Sequence, residues 1–295
     1  MSAAHAHRDL YIGIAATVLA AFVLAGMDTI AKFLMRSLPT EQVVWARFFF
    51  HLLLVGAIFA RRGNWSFVRT RHPVLQTVRG ATLVGVTLSL YSAIRNGSLA
   101  EATAIVFFAP VLVTVLSGPM LGERVRHWHW LAVFLGFAGV LVIVRPGFRE
   151  HDSALWLACV AAVSLALYFV LTRRLRGLDS ERTTLFHTTL GGSVLLSILA
   201  GLSWQAPTAA EWAVLVGIGA LGAGGHLLLV RAFHLAPAST LAPFLNAQLV
   251  AAAIYSAVFF NDVLDLPFLA GTALIVGAGL WVSQRDRRAL HRPAP

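Results

Sequence analysis

Cysteine and charge are both scarce in this chain of 295 residues. The single cysteine, Cys159, excludes an intrachain disulfide framework and argues against a cysteine-based metal site. Only 12% of the residues are charged, about half the share found in soluble domains, whereas 58% are hydrophobic. With a mean hydropathy of +0.76, most of the chain belongs in lipid and not around one water-soluble core.

The formal net charge of +10 raises nucleic acid as a partner, but the distribution of the basic residues excludes it. They lie between apolar runs, and no soluble basic module is long enough to hold a groove-reading element. The first apolar run, residues 10–26, resembles a signal peptide. Its helical pattern continues through Asp28, Lys32 and Leu34 without a convincing cleavage site, so we expect a retained span.

Ten apolar runs are long enough to cross a membrane as helices, which takes about 20 mostly apolar residues. Turn or charge signals separate them, as at Leu38-Pro39-Thr40 and Arg145-Pro146-Gly147. The predicted spans are 10–35, 42–60, 73–94, 98–121, 128–145, 153–172, 183–203, 211–234, 238–260 and 266–283.

The lysine and arginine distribution predicts the orientation of these spans. With the N-terminus in the cytoplasm, sixteen of these cations fall in inside segments and four in outside segments; Lys32, Arg47 and Arg79 lie within spans. Because cytoplasmic loops carry an excess of Lys and Arg, both termini are predicted to be cytoplasmic.

The two halves of the chain resemble each other. A shift of 140 places residues 36–41 on 176–181 and Arg47 on His187; a shift of 139 places Gly122-Glu123 on Asn261-Asp262. The predicted division is a first repeat at 1–147, a second repeat at 151–284 and a basic cytoplasmic tail at 285–295.

Five spans per repeat is an odd number, so the second repeat must cross the membrane upside down. The charges agree: the basic loop around Arg61 and Arg71 corresponds to residues 201–211, which contain no basic residue. Inverted repeats are typical of secondary transporters, with the substrate site near the midplane between the repeats. A channel or an intramembrane enzyme has less need of this symmetry, and the sequence lacks the nucleophile and metalloprotease motifs of such enzymes.

Three stretches resemble the drug/metabolite transporter superfamily in its EamA-type branch: 102–110 in span 4, Leu121-Gly122-Glu123, and 136–139 in span 5. The resemblance covers about 10–283, and it is weaker in the second repeat, where Leu249 stands opposite Pro110 and Asp262 replaces the glutamate. It implies an all-α integral membrane fold of ten helices in two inverted five-helix repeats. It also implies a central cavity lined by spans 1–4 and 6–9.

An ionisable residue inside a span is costly and normally faces the bundle interior. Asp28 and Lys32 are four apart on span 1, hence on one helical face, and Arg47 lies near the outer end of span 2. One interpretation is a site or gate for an anionic or zwitterionic group, with Arg47 binding a carboxylate. The other is a structural Asp28–Lys32 pair beside an Arg47 that reaches the headgroups.

Further polar residues complete the predicted substrate site. For Arg79 the alternative to substrate contact is snorkelling to the cytoplasmic interface, and for the amides Asn246 and Gln248 it is hydrogen bonding between helices. The additional candidates are His51, Arg79, Tyr91, His187, His226, Asn246 and Gln248. Pro110, Glu123 and Asp262 are predicted to be gating or structural residues, and the glycines of span 8 to allow close helix packing or bending.

The sequence therefore predicts a secondary active transporter of a small anionic or zwitterionic metabolite, amino-acid-like or vitamin-like. The alternative is an exporter of amphipathic drugs or toxic metabolites. We expect no enzyme activity, cofactor or metal, and a multi-pass location in a bacterial-type inner membrane. The expected partners are the substrate and the lipid bilayer. H⁺ or Na⁺ as coupling ion, and a monomer or a homodimer, are left open.

Overall fold

The computed structural model describes residues 3–61, 65–122, 127–145, 152–175, 177–235, 241 and 244–290, and it is dominated by helices. One short 3₁₀ helix, Ser66–Val68, lies between the second and third of them. The helices are α1 Ala3–Leu34, α2 Thr40–Ala60, α3 Pro73–Asn96, α4 Leu99–Val106, α5 Ala109–Leu121, α6 His127–Val144, α7 Asp152–Arg174, α8 Glu181–Leu202, α9 Ala209–Leu235, α10 Ala247–Phe260 and α11 Leu266–Leu290.

Eight helical stretches of the described chain are long and apolar enough to cross a membrane. The continuous stretch Leu99–Leu121, which combines α4 and α5, is one of them. Two shorter apolar helices, Ala247–Phe260 and Leu266–Val282, lie where the ninth and tenth spans are predicted. The predicted all-helical, ten-helix membrane fold is confirmed.

The fourth predicted span is not one uninterrupted helix. α4 ends at Val106, Phe107 and Phe108 form a turn, and α5 begins at Ala109 with Pro110 in its first turn. Proline has no backbone N–H and its ring clashes with the carbonyl four residues earlier, here that of Val106. Pro110 therefore explains the position of the break, which a hydropathy pattern alone does not show.

The aligned positions of the two repeats share local geometry. Gly122 ends α5 and Asn261 ends α10, each in the left-handed conformation, with φ of 72° and 54°. Glycine and asparagine are the residues that tolerate this conformation at a helix C-terminus. The turn at Phe107 has a counterpart at Asn246, which immediately precedes α10.

The chain forms two compact units, and each takes helices from both halves of the sequence. The first unit is Met1–Gly80 with Asp179–Asp262, and the second is Ala81–Leu178 with Val263–Pro295. In the first unit, α1 packs on α9 and α10, and α2 packs on α8 and α9. In the second, α6 packs on α11, and α4 and α5 pack on α7.

Glycines on α9 form the packing surface of the first unit. An ideal Cβ on Gly219 would lie 2.3 Å from Phe50 Cβ, and one on Gly225 would lie 2.7 Å from Leu24 Cδ2. Such distances leave no room for a methyl group, so these glycines let the helices approach closely. Gly217 and Gly224 have nothing within 4 Å, so only part of the glycine-rich segment is used for packing.

Two glycines bring α6 and α11 together in the second unit. A Cβ on Gly139 would lie 2.7 Å from the carbonyl oxygen of Gly271, and a Cβ on Gly271 would lie 2.6 Å from that of Gly139. At the ends of the same two helices, Arg145 Nη2 lies 2.5 Å from Asp265 Oδ2. The α6–α11 pair is thus fixed by close backbone packing and by an ion pair.

Candidate functional site

The centre of the candidate site is an ion pair between α1 and α2 in the first unit. Arg47 Nη1 lies 3.6 Å from Asp28 Oδ1, and the two side chains are 17% and 7% exposed. The pair thus joins the cation of span 2 to the carboxylate of span 1. The structure thus brings together two of the three residues of the predicted Asp28, Lys32 and Arg47 cluster.

Two histidines lie beside this pair. His51 is one turn after Arg47 on α2, and its ring stacks on that of His226 of α9, with centroids 5.5 Å apart and planes 26° apart. The His51 side chain is buried, and its Nε2 has no hydrogen-bond partner among the described residues. A buried polar atom without a partner is costly, so His51 Nε2 is available to a ligand or a water molecule.

The small residue opposite His51 leaves space for its ring. A Cβ on Gly222, one turn before His226, would lie 3.7 Å from His51 Nδ1 and 3.3 Å from Met27 Sδ. The charge of Arg47 acts on both imidazoles. Asp28, Arg47, His51 and His226 therefore form one cluster, called here the Arg47 cluster, in which Asp28 and His51 are buried and Arg47 and His226 are partly buried. It combines a carboxylate, a guanidinium and two imidazoles.

Lys32 makes different contacts. Its Nζ lies 4.3 Å from the centroid of the Phe260 ring of α10, and its charge interacts with the Asp262 carboxylate. Asp262 also accepts a hydrogen bond from Ser256. Lys32 and Asp262 are thus brought together at the neighbouring ends of α1 and α10.

Arg79 is directed at α8. It is 1% exposed, and its Nη2 donates hydrogen bonds to the Thr184 carbonyl at 2.5 Å and to the Thr188 hydroxyl. The alternative in which Arg79 snorkels to the interface is wrong, because a snorkelling guanidinium would be exposed. These contacts assign Arg79 a part in holding α3 against α8.

His187 holds the connection between α2 and α3 in place. Its Nε2 lies 2.9 Å from the Val68 carbonyl oxygen of the 3₁₀ helix, and the residue is half-buried. Asp179, which the sequence analysis did not single out, fixes the same connection. It accepts hydrogen bonds from the Thr70 hydroxyl at 2.5 Å and the Gln76 amide at 2.9 Å.

The Asp179 carboxylate is thereby stabilised in its charged form. Desolvation is the largest single effect and raises its pKa, but the hydrogen bonds from Thr70, Gln76 and the Arg71 N–H, with the nearby His72, together outweigh it and leave the pKa below its usual value. The sequence gives no signal that Asp179 fixes this connection, because its partners Thr70 and Gln76 lie more than 100 positions away in the chain.

The remaining predicted residues are distributed more widely. Asn246 and Gln248 are half-buried in the first unit, at the start of α10. Tyr91 is completely buried but belongs to the second unit, as does Pro110, which sets the helix break. Glu123 lies outside the described residues. Pro243 does so too.

Gln42, which is not among the predicted site residues, is fully buried near the start of α2. Its Nε2 donates to the Gln205 carbonyl at 2.8 Å, and its Oε1 accepts from the Gln205 N–H at 3.1 Å. Nearby, Trp45 donates to Ser197 Oγ at 2.9 Å and packs against Trp204, with centroids 5.3 Å apart. An uncharged glutamine at a span end, unlike Arg47, does not stand out from the sequence.

No group of three or more His, Cys, Asp or Glu side chains that could hold a metal ion occurs within the part of the chain that the structure describes. The Arg47 cluster is a set of hydrogen-bonding and charged groups inside the helices of a multi-pass membrane protein, where charged side chains are costly and rare.

The fold and this buried cluster define a multi-pass membrane protein with a polar site inside its helices. Family comparison identifies the chain more closely: it belongs to the EamA-like transporter family, whose model matches twice, at residues 11–145 and 152–284. The family indicates a transporter and not an enzyme.

Curated relatives cover almost the whole chain. It is 26% identical to an S-adenosylmethionine uptake transporter of Rickettsia bellii, over 95% of this chain and 96% of the relative. It is 27% identical to a riboflavin transporter of Brucella anthropi, over 84% and 89%, and 27% identical to a pseudopaline exporter of Pseudomonas aeruginosa, over 93% and 97%. These relatives support transport of a small metabolite.

A solved crystal structure shares the fold. It superposes with a TM-score of 0.64 at 22% sequence identity, covering 95% of this chain and 99% of the other. At this identity the likeness concerns the fold alone.

Proposed function

We propose that this protein is a secondary active transporter that moves a small anionic or zwitterionic metabolite across a bacterial inner membrane by alternating access. The Arg47 cluster carries the proposal, because it combines a carboxylate and a guanidinium with two imidazoles, and His51 Nε2 has no hydrogen-bond partner among the described residues. Arg47 would bind a carboxylate or another anionic group, and Asp28 would neutralise Arg47 when substrate is absent.

A zwitterion fits this site in a particular way. Asp28 and Arg47 lie 3.6 Å apart, which is longer than an ideal charge-assisted hydrogen bond of about 2.7–2.9 Å. The pair is therefore close enough to neutralise both charges, and loose enough to exchange partners with an ammonium and a carboxylate of the substrate. The neutral or charged imidazole of His51 adds a third hydrogen-bonding position.

The mechanism rests on the inverted arrangement of the two repeats. If corresponding loops lie on opposite sides of the membrane, a site between repeats opens to either side in turn. The opposite charge loads of the 61–71 and 201–211 segments support this orientation, with both termini in the cytoplasm. Cysteine-accessibility labelling at each terminus tests it: labelling of the two ends from different sides would overturn the inverted-repeat model.

Because the sequence carries no phosphate-binding glycine motif, the proposed energy source is an ion gradient or exchange against a second solute. The site offers carboxylate and imidazole groups that can bind or release a proton, so H⁺ is one candidate and Na⁺ another. The named relatives include both uptake and export proteins, so this family has members of either direction.

The decisive experiment combines binding and flux. A panel of carboxylate-containing metabolites is screened for thermal stabilisation of the wild-type protein, of Arg47→Ala and of the control Arg231→Ala, an exposed arginine of α9. A substrate should stabilise wild type and the control but not Arg47→Ala, and it should show saturable counterflow in proteoliposomes. A compound that stabilises all three proteins equally would remove Arg47 from the site, and conductance without saturation would indicate a channel.

A further inference from the structure

A groove on the surface of the first unit lies apart from the Arg47 cluster. It has a volume of about 270 Å³ and lies along the second half of α2, beneath the 3₁₀ helix and beside α8. Its lining is almost entirely apolar and includes Leu53, Gly56, Ala60, Trp65, Phe67 and Phe186.

Packed aromatic rings form one wall of this groove. Phe67 is 3% exposed and packs edge-on against Phe186, with centroids 5.0 Å apart, and against Phe59, at 5.5 Å. Trp65 stacks on Phe67 at 5.9 Å and is itself 63% exposed. His187 holds the Val68 carbonyl next to it. The walls are therefore preformed, and they are fixed by contacts within the unit.

Three arginines lie close to residues of this wall, in sequence or in space. Arg61 directly follows α2, Arg69 directly follows the 3₁₀ helix, and both are exposed. Arg182 lies one turn before Phe186 on α8, and its guanidinium carbon is 5.9 Å from the centroid of the Phe59 ring. Among the described residues, no carboxylate forms an ion pair with Arg182. An apolar groove with arginines beside it matches an amphiphile with an apolar tail and an anionic head.

We infer that this groove binds an anionic phospholipid, with one acyl chain along α2 between Leu53 and Phe186 and the phosphate against Arg182 and Arg61. The chain is embedded in a bilayer, so acyl chains are the apolar molecules that reach an open groove on its flank. Arginines at the membrane interface attract anionic headgroups, each arginine contributing roughly a five-fold gain in affinity. Arginine also binds phosphate with two parallel hydrogen bonds. The lipid would hold the α2–α3 connection against α8.

Native mass spectrometry of the full-length protein in neutral detergent tests this site. The probes are phosphatidylglycerol, phosphatidylcholine with the same acyl chains, and glycerol phosphate without chains. Phosphatidylglycerol should bind at least about five-fold more tightly than phosphatidylcholine, and glycerol phosphate should bind far more weakly than either. Equal binding of the two lipids would overturn the role of the arginines. Glycerol phosphate binding as tightly as phosphatidylglycerol would overturn the role of the groove.

Variants separate the two parts of the site. Arg182→Gln should weaken phosphatidylglycerol binding about five-fold and leave phosphatidylcholine unchanged, whereas Arg231→Gln should change neither. Gly56→Phe should fill the groove and weaken both lipids, whereas Gly56→Ala should be tolerated because its Cβ would meet only Phe186, at 3.9 Å.

Because Gly56→Phe could fail to fold, a second groove-filling variant is included. Leu53→Trp starts from a side chain that is 51% exposed, and its matched control, Val258→Trp, starts from one that is 64% exposed on α10. Weaker lipid binding by Leu53→Trp than by Val258→Trp supports the groove. Equal binding by these two variants, or unchanged phosphatidylglycerol binding in Arg182→Gln, overturns the proposal.

Discussion

Substituting Asp28 by leucine should destabilise the protein strongly, and substituting Arg47 as well should restore part of that loss. The two charged groups lie 3.6 Å apart, with side chains only 7% and 17% exposed. Without its carboxylate partner, the guanidinium of Arg47 would keep a buried charge among apolar helices. Arg47→Met would likewise leave the negative charge of Asp28 among apolar helices without the Arg47 guanidinium.

The size of the effect follows from this geometry. At 3.6 Å and an effective dielectric constant of about 20, two unit charges attract each other by about 5 kcal/mol. Desolvation offsets part of this attraction in the native pair, whereas removal of one partner of a buried pair typically costs about 3–5 kcal/mol. We therefore expect each single variant to lose about 3 kcal/mol. The double variant, Asp28→Leu with Arg47→Met, should lose clearly less than the sum.

The assay is a double-mutant cycle on the free energy of unfolding in mixed micelles, combined with counterflow in proteoliposomes. The coupling energy should lie near the upper end of the range of about 0.5–3 kcal/mol that contacting residues show. A matched control is the Arg145–Asp265 pair, whose side chains are 28% and 31% exposed and which should couple by about 1 kcal/mol or less.

Two results would refute this reasoning. Additive losses at Asp28 and Arg47 would show that the two charges do not depend on each other. A stable double variant that transports as well as wild type would show that the pair is structural only, and the substrate would then be bound elsewhere.

Three further predictions concern other parts of the molecule. Gly139→Ala should destabilise the protein relative to Gly277→Ala by about 1–3 kcal/mol in thermal unfolding, because a Cβ at Gly139 meets the Gly271 carbonyl at 2.7 Å. Asp179→Asn should lower the free energy of unfolding near pH 7 and make that free energy less sensitive to acid. The lowered pKa of Asp179 means that its carboxylate stabilises the folded state above about pH 4, and this contribution is lost as the pH falls through the folded-state pKa. Lys32→Ala should lower transport in flux assays more than it lowers expression, because it removes a contact between the ends of α1 and α10.

Each of these has its own control. Gly277 has nothing within 4 Å of its Cβ position, so both alanine variants share any gain in helix propensity and only packing differs. Equal stability of Gly139→Ala and Gly277→Ala would refute the close approach of α6 and α11 at Gly139. An unchanged acid profile in Asp179→Asn would show that the carboxylate does not anchor the loop. Normal flux with poor folding in Lys32→Ala would assign that residue a purely structural part.

Much of the architecture is predictable from the sequence because the bilayer restricts it so strongly. A backbone in lipid must satisfy its own hydrogen bonds, so apolar runs of about 20 residues become spanning helices. Pro110 within the fourth apolar run indicates that this span contains a helix break. The end of α4 at Val106 follows from the geometry of proline, which a hydropathy pattern does not show.

The candidate site was predictable in composition but not in its contacts. Asp28, Lys32 and Arg47 stand out because charge is rare in spans. Spacing along one helix favoured Asp28 with Lys32, whereas the structure places Arg47 beside Asp28 and places Lys32 against Phe260. Gln42 and Asp179 gave no signal, because their partners are distant along the chain.

The sequence by itself determined that this protein is a multi-pass helical membrane protein and which few charged residues lie within its helices. The cost of exposing backbone and charge to lipid acts locally, on segments of about 20 residues, so it is written into local composition. Only the tertiary structure decided which helices combine into each compact unit, and therefore which charges meet. That choice depends on contacts between residues far apart in the chain, such as Leu24 with Gly225 and His51 with His226, and no local pattern encodes them.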